Sequence, residues 1–218
     1  MSIIQSLFNL VLHLKPETLS AFMHSYGAIA YVILFLIIFC ETGLVVTPFL
    51  PGDSLIFAVG AVVAFGVIGW PAIFMLMTAA ILGNMVNYQI GKTLSKKITQ
   101  GEKVKFIKTE YIDETKRFFE KYGAVTIIIT RFMPIIRTFS PFVAGVGEMP
   151  YRKFFIYNAL GGILWVSFFF IGGFFFGQIP FVKNNFSLVV IGIVLVSVLP
   201  AVIIFFKKSF VKTKIKTK

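Results

Sequence analysis

Long runs of apolar residues, separated by short polar breaks, make up most of this chain. No Lys, Arg or His occurs between residues 29 and 91, and no charged residue occurs between residues 154 and 182. Several of these runs reach the ~20 apolar residues that an α-helix needs to cross a bilayer. The pattern therefore predicts an all-α polytopic membrane protein.

Two of the apolar stretches contain breaks that a simple spanning helix would not carry. Proline removes a backbone donor and disrupts the preceding helical turn. Broken backbone at membrane depth is tolerated only where protein or a water-filled cavity surrounds it. Both stretches are therefore predicted to be re-entrant helical hairpins. The prolines concerned are Pro48 and Pro51 in the first stretch, and Pro134 and Pro141 in the second.

The remaining segments follow from the helical spacing of apolar residues and from the placement of charge. Together they predict a single membrane domain. Its segments are an amphipathic leader (residues 1–25), a first re-entrant hairpin (29–65), a span (70–91), an amphipathic cytoplasmic insertion (92–122), a second re-entrant hairpin (123–149), two further spans (151–182 and 186–206) and a basic cytoplasmic tail (207–218).

Positive charge orients this arrangement. By the positive-inside rule the tail and the insertion face the cytoplasm, which places the C-terminus there and leaves the side of the N-terminus open. The two hairpins then open from opposite sides, so each hairpin and its following span form half of an inverted repeat, as in many secondary transporters. The prediction rests on topology, because residue matches between the halves are thin. They are Pro48 with Pro134, Ser54 with Ser140 and Ala58 with Ala144.

Composition narrows the class further. The chain is 57% hydrophobic with a mean hydropathy of +0.89, which excludes an ordinary soluble domain. Its net charge of +12 is placed to meet an anionic membrane surface rather than nucleic acid. Cys40 is the single cysteine, so an intramolecular disulfide is excluded, and neither a metal site nor a cofactor is predicted.

The candidate chemistry comes from four ionisable groups predicted to lie at membrane depth: Glu41, Asp53, Arg131 and Arg137. Their charges sum to zero, as burial of such a cluster requires. The planar guanidinium fork suits a phosphate, so Arg131 and Arg137 are predicted to bind a substrate phosphate. A phosphate that displaces Glu41 or Asp53 would raise the proton affinity of that carboxylate. The two acids are therefore predicted to couple transport to protons.

Other interpretations remain open. The sequence is also compatible with static salt bridges between the hairpins, with a proton-coupled antiporter for small ions, and with a scaffold that has no transport activity. The polar residues of the 70–91 span either support the site or only form hydrogen bonds between helices; they are Asn84, Asn87 and Tyr88. An enzyme is disfavoured, because His13 and His24 both lie in the leader and no Gly-x-Ser-x-Gly elbow occurs.

The second hairpin also carries a longer motif, F-x-P-x-x-R-T-x-x-P-x-x-A-G, from Phe132 to Gly145. With its surroundings it resembles the signature of the DedA family of VTT-domain-like (SNARE-associated) membrane proteins. The resemblance covers roughly residues 29–177. It also rests on Glu41, Pro51-Gly52, Gly83, Tyr88, Gly91, Met149, Phe154, Asn158, Gly161 and Trp165.

The resemblance implies a multi-pass protein of a bacterial inner membrane that moves phospholipids or undecaprenyl phosphate between leaflets. It implies that the essential acids and arginines of the family fall on the four charged residues above. It leaves a proton role for Asn84 in doubt, because some members carry an acid there. The expected partners are the lipid, protons and the anionic membrane surface; the lipid's identity, the coupling ion, the direction of transport and a homodimer stay open. Supporting polar and backbone positions are Pro48, Pro51, Gly52, Asn84, Tyr88, Pro134, Thr138, Pro141 and Asn158.

Overall fold

The computed structural model describes residues 16–44, 52–99 and 109–185, and all regular structure in these ranges is helical. The all-α class is thereby confirmed. The helices are α1 (Pro16–Gly43), α2 (Gly52–Ala64), α3 (Pro71–Thr99), α4 (Thr109–Tyr122), α5 (Thr126–Ile129), α6 (Pro134–Val146), α7 (Tyr151–Gln178) and α8 (Pro180–Asn184). Short 3₁₀ turns at Gly123–Val125 and Thr130–Phe132 flank α5.

The chain forms two compact units. The first unit comprises Met1–Ala30, Phe49–Trp70 and Phe169–Lys218. The second unit comprises Tyr31–Pro48 and Pro71–Phe168. The first unit therefore holds α2 and the C-terminal end of α7, whereas the second holds the end of α1, all of α3 to α6, and most of α7.

Among the residues that the structure describes, two helices are long and apolar enough to cross a membrane, Pro71–Ser95 and Tyr151–Gln178. They coincide with the predicted spans at 70–91 and 151–182. The second one stops earlier than predicted, because Ile179 is extended ahead of Pro180, as the residue before a proline usually is. The predicted span at 186–206, the tail and the first fifteen residues of the leader lie outside the described residues.

The boundaries between several predicted segments differ from the observed helix ends. Helix α1 runs without a break from Pro16 to Gly43, so the predicted boundary between leader and first hairpin lies inside a helix. Pro16 fits the first position of a helix, where its missing N–H is no loss. Helix α3 continues past the predicted end of its span as far as Thr99. The amphipathic helix expected in the insertion is present as α4, with Glu114 and Arg117 exposed.

The second predicted hairpin contains one clear break, at Met133. Its backbone is extended (φ −115°, ψ 101°), and α6 begins at the next residue, Pro134. Pro141 was also expected to break the helix, but this expectation is wrong because α6 continues through it. In the first predicted hairpin, α2 begins at Gly52 with Asp53 in its first turn. Pro48 and Pro51 lie outside the described residues.

In the second unit, α6 and α3 cross with almost touching backbones. A Cβ atom on Gly145 would overlap the carbonyl of Tyr88, and one on Gly91 would overlap the carbonyl of Phe142. Each helix thus contributes an aromatic residue followed three positions later by a glycine, and each glycine faces the aromatic residue's backbone on the other helix. Close approach of this kind is typical of glycine at membrane-helix contacts.

The same reciprocal arrangement occurs inside the first unit, between α2 and α7. A Cβ on Gly60 would overlap the carbonyl of Phe170, and one on Gly173 would overlap the carbonyl of Phe57. Each unit therefore contains one such crossing, and both helices of each crossing carry the aromatic-x-x-Gly pattern.

We expect Gly173→Ala to lower the free energy of unfolding in detergent by about 1–3 kcal/mol, as overpacking of a tight contact usually does. The neighbouring Gly172→Ala is a matched control, because its Cβ would lie 3.8 Å from Phe57 Cε2, an ordinary contact. The control should be neutral or slightly stabilising, since alanine is the better helix former. Equal thermal unfolding midpoints for the two variants would show that the crossing is looser than described.

Candidate functional site

A cluster of buried polar side chains lies in the second unit, where α1, α3, α6, α7 and the turn at Thr130–Phe132 meet. Polar groups buried in an apolar bundle are costly unless they are hydrogen-bonded. Their concentration therefore marks this place as the candidate site. Its members include Glu41, Thr42, Asn84, Asn87, Arg131, Arg137, Thr138 and Asn158, each at most 6% exposed.

An ion pair joins Glu41, near the end of α1, to Arg137, in the first turn of α6. Arg137 Nη2 lies 2.7 Å from Glu41 Oε1, and the two side chains are 6% and 2% exposed. A charge-assisted hydrogen bond of this length is strong, particularly when water is excluded. The structure thus brings together one predicted acid and one predicted arginine.

Arg131 is buried more deeply, at 1% exposure, but in different surroundings. Its Nη2 donates to Asn158 Oδ1 at 2.6 Å and lies 3.4 Å from the carbonyls of Ala80 and Asn158. Within the described ranges no carboxylate forms an ion pair with it, and its Nε and Nη1 have no hydrogen-bond partner. The positive charge of Arg131 is therefore held by neutral groups.

Asparagines supply most of these neutral groups. Asn158 Nδ2 donates to the Ile81 carbonyl at 3.0 Å, which fixes its oxygen toward Arg131. Asn84 is best satisfied with its oxygen 2.8 Å from Arg131 Nη2 and its nitrogen 3.3 Å from the Thr42 carbonyl. In the opposite orientation its nitrogen would instead donate to Asn158. Asn84 thus contacts the site directly.

Asn87 bridges α1 and α6. Its Nδ2 donates to the carbonyls of Thr42 at 3.0 Å and Thr138 at 2.9 Å. The Thr42 carbonyl belongs to the last turn of α1, where the backbone carbonyls have no hydrogen-bond partner within their own helix. Asn87 therefore fixes the helix ends that carry Glu41 and Arg137.

Trp165 lies against both guanidinium groups. The centroid of its ring is 5.7 Å from Cζ of Arg131 and 4.9 Å from Cζ of Arg137. Cations are attracted to the indole face at such distances. The fully buried indole ring therefore makes a favourable contact with both positively charged guanidinium groups.

Two glycines on the same face of α7 provide the space that Arg131 occupies. A Cβ on Gly161 would lie 3.5 Å from Arg131 Cγ, and one on Gly162 would lie 3.4 Å from Arg131 Nη2 and 2.9 Å from the Ile81 side chain. Trp165 and these glycines were not predicted as site residues. The available signal was their spacing, because Asn158, Gly161, Gly162 and Trp165 share one helical face.

The other predicted site residues have different positions. Asp53 belongs to the first unit and is half-buried, and Gly52 beside it is buried. Tyr88 anchors α3 to the start of α7 through a hydrogen bond from its hydroxyl to the Met149 carbonyl and a ring stacked on Phe154. Thr138 and Pro141 are buried in α6, whereas Pro134 at its start is exposed.

Comparison with known proteins shows which family the sequence matches. The family model of the VTT domain matches residues 50–175. The chain is 47% identical over 206 residues to protein DedA of Escherichia coli K12, which covers 93% of this chain and 94% of that protein. It is 40% identical over 168 residues to a Mycobacterium leprae membrane protein, ML0287, covering 77% and 75% respectively.

A more distant similarity links the chain to the E. coli inner membrane protein YghB, with 35% identity over 159 residues, or 72% of this chain and 73% of that protein. No solved structure matches the chain.

Proposed function

Because the chain belongs to the DedA family of VTT-domain proteins of the bacterial inner membrane, we propose that it moves a phosphate-bearing lipid between leaflets. The substrate would be undecaprenyl phosphate or a phospholipid, with Arg131 and Arg137 as the phosphate-binding residues. The observation that carries this proposal is Arg131, a buried guanidinium with two donors that have no partner among the described residues.

The charge of the cluster favours an anion. Two arginines and one glutamate leave one positive charge uncompensated within the described part of the second unit. Such a charge at membrane depth costs several kcal/mol unless it is paired or wetted. A phosphate supplies the missing charge, and its oxygens match the guanidinium donors. One edge of the guanidinium plane carries Nε and Nη2, and the other carries Nη1 and Nη2. Each edge therefore offers a phosphate one donor nitrogen, Nε or Nη1, that has no partner among the described residues.

Proton coupling follows from the second arginine. A phosphate that also contacts Arg137 competes with Glu41 for it. Without the arginine beside it, burial favours the neutral form of the Glu41 carboxyl. Binding of the lipid phosphate would then be linked to uptake of a proton, with Asp53 as a second proton-coupling group.

Features of the backbone support alternating access. The aromatic-x-x-Gly crossings, one in each unit, are what an inverted repeat would produce, and such repeats commonly place broken helices around a substrate site. Here the break at Met133 lies two residues from Arg131, and Arg137 is in the first turn of the following helix. The positive end of that helix dipole also favours an anion. We therefore propose that both predicted hairpins are re-entrant.

A leaflet-exchange assay tests the proposal. Purified protein in liposomes should accelerate exchange of a fluorescent polyprenyl phosphate, while the corresponding polyprenol, which has the same chain without the phosphate, should exchange at the rate of empty liposomes. A labelled phosphatidylethanolamine measured in parallel distinguishes the two lipid classes. The proposal is wrong if the phosphate and the alcohol exchange at the same rate.

A further inference from the structure

A groove of about 580 Å³ opens on the second unit, away from the charged cluster. Four of its lining residues follow one face of α3: Leu82, Val86, Gln89 and Lys92. From Leu82 to Lys92 this stripe rises about 15 Å along the helix, which is close to half of a hydrocarbon core about 30 Å thick. The groove therefore has the length of one leaflet.

The two ends of the groove differ in polarity. One end is apolar, with Phe39 of α1 facing Leu82 and Val86, which are 39% and 40% exposed. Lys92 and Tyr151 lie toward the other end, and both are exposed. Among the described residues no carboxylate pairs with Lys92.

Lys92 also has a defined place relative to the membrane. It is the first basic residue after the stretch 29–91, which contains no Lys, Arg or His. It also lies on one of the two described helices that are suited to cross a bilayer. A lysine at such a boundary extends its ammonium group toward lipid headgroups. The groove therefore runs from the headgroup level into the hydrocarbon.

We propose that this groove binds an anionic glycerophospholipid, with one acyl chain along α3 and the phosphate against Lys92 and the Tyr151 hydroxyl. The occupant must be apolar over most of its length and negative at one end, which is the chemistry of such a lipid. No member of the arginine cluster lines the groove. The bound lipid is thus a resident of the protein surface rather than the transported substrate.

Photocrosslinking tests the site. Purified protein is mixed with a phosphatidylglycerol that carries a diazirine in its acyl chain, and adducts are mapped by mass spectrometry. We expect adducts concentrated on the α3 stripe and Phe39. Val86→Trp should block the groove and remove most of them, while Lys92→Gln should weaken labelling about fivefold, the effect of one lysine near an anionic headgroup.

Two control variants change exposed residues of α7 that do not line the groove, Ile156→Trp and Lys153→Gln. Both should label like wild type, and thermal unfolding in detergent checks that all four variants fold. Adducts spread evenly over Ile156, Leu160 and the other exposed apolar residues of α7 would overturn the proposal. So would equal effects of Val86→Trp and Ile156→Trp.

Competition separates the possible occupants. Unlabelled phosphatidylglycerol should compete well, and phosphatidylcholine of the same chain length should compete poorly. Stronger competition by polyprenyl phosphate would assign the groove to the transported lipid and would refute a resident phospholipid. Because the assay measures binding alone, its result is independent of whether the protein transports lipid.

Discussion

Arg131→Gln should abolish most transport of polyprenyl phosphate while leaving the protein as stable as wild type, or more stable. Glutamine removes a buried charge that no described carboxylate compensates. Removing such a charge relieves a desolvation penalty. A hydrogen bond between charged partners contributes about 1.5–3 kcal/mol, so transport at limiting substrate should fall about 10- to 100-fold.

The assay combines leaflet exchange in liposomes with thermal unfolding in detergent. Arg137→Gln is the matched control, because it makes the same substitution at an arginine that is paired with Glu41. This control should lose about 3–5 kcal/mol of stability, as happens when one partner of a buried ion pair is removed. If Arg131→Gln is the more destabilised of the two, or if it transports normally, Arg131 is structural and the phosphate site is elsewhere.

This difference between the two arginines could not be obtained from the sequence. Both occur in the same apolar segment, Arg131 two residues before the break at Met133 and Arg137 four residues after it, and both are predicted to bind the phosphate. Only the packing places Glu41 against Arg137 and neutral asparagines around Arg131. A balanced sum of charges along the chain says nothing about which acid meets which base.

The helical class and two of the spans were predictable, because apolar length and proline positions depend on local chemistry alone. The effect of Pro141 was not, since the rest of α6 packs well enough to continue the helix through it. Gly161 and Trp165 belong to the motif that carries the family resemblance, but the sequence predicts no role in the site for them or for Gly162. Their role depends on which face of α7 meets Arg131, which is a property of the tertiary structure.

The proposed inverted repeat illustrates the same limit. At the spacing that aligns Pro48 with Pro134, few residues of the two halves match. By their places in the two crossings, Phe57 and Gly60 correspond to Phe142 and Gly145. This correspondence is shifted by one residue from the alignment of Pro48 with Pro134. Aromatic-x-x-Gly is too short to be recognised in a chain with 27 phenylalanines and 18 glycines. It becomes meaningful only when each glycine is seen to face a backbone carbonyl.

The Glu41–Arg137 pair provides the second test, in which stability and transport should separate. Glu41→Gln and Arg137→Gln should each cost about 3–5 kcal/mol of unfolding free energy, because each leaves a buried charge without its partner. The double variant should recover most of that loss, since two neutral amides can hydrogen-bond in place of the ions. The two single losses sum to about 6–10 kcal/mol, so a double variant that loses less than either single requires a coupling energy of at least about 3 kcal/mol, the upper end of the range for contacting residues.

Transport should not recover with stability. The double variant has neither the guanidinium that would hold the phosphate nor the carboxyl that would take up the proton. We therefore expect exchange of polyprenyl phosphate to stay near the rate of empty liposomes from pH 5 to pH 8, although the protein is folded. Ile156→Ala, which changes an exposed residue outside both the cluster and the groove, should transport with the pH profile of wild type. If the double variant regains both stability and transport, the ion pair only joins α1 to α6, and transport must use other residues.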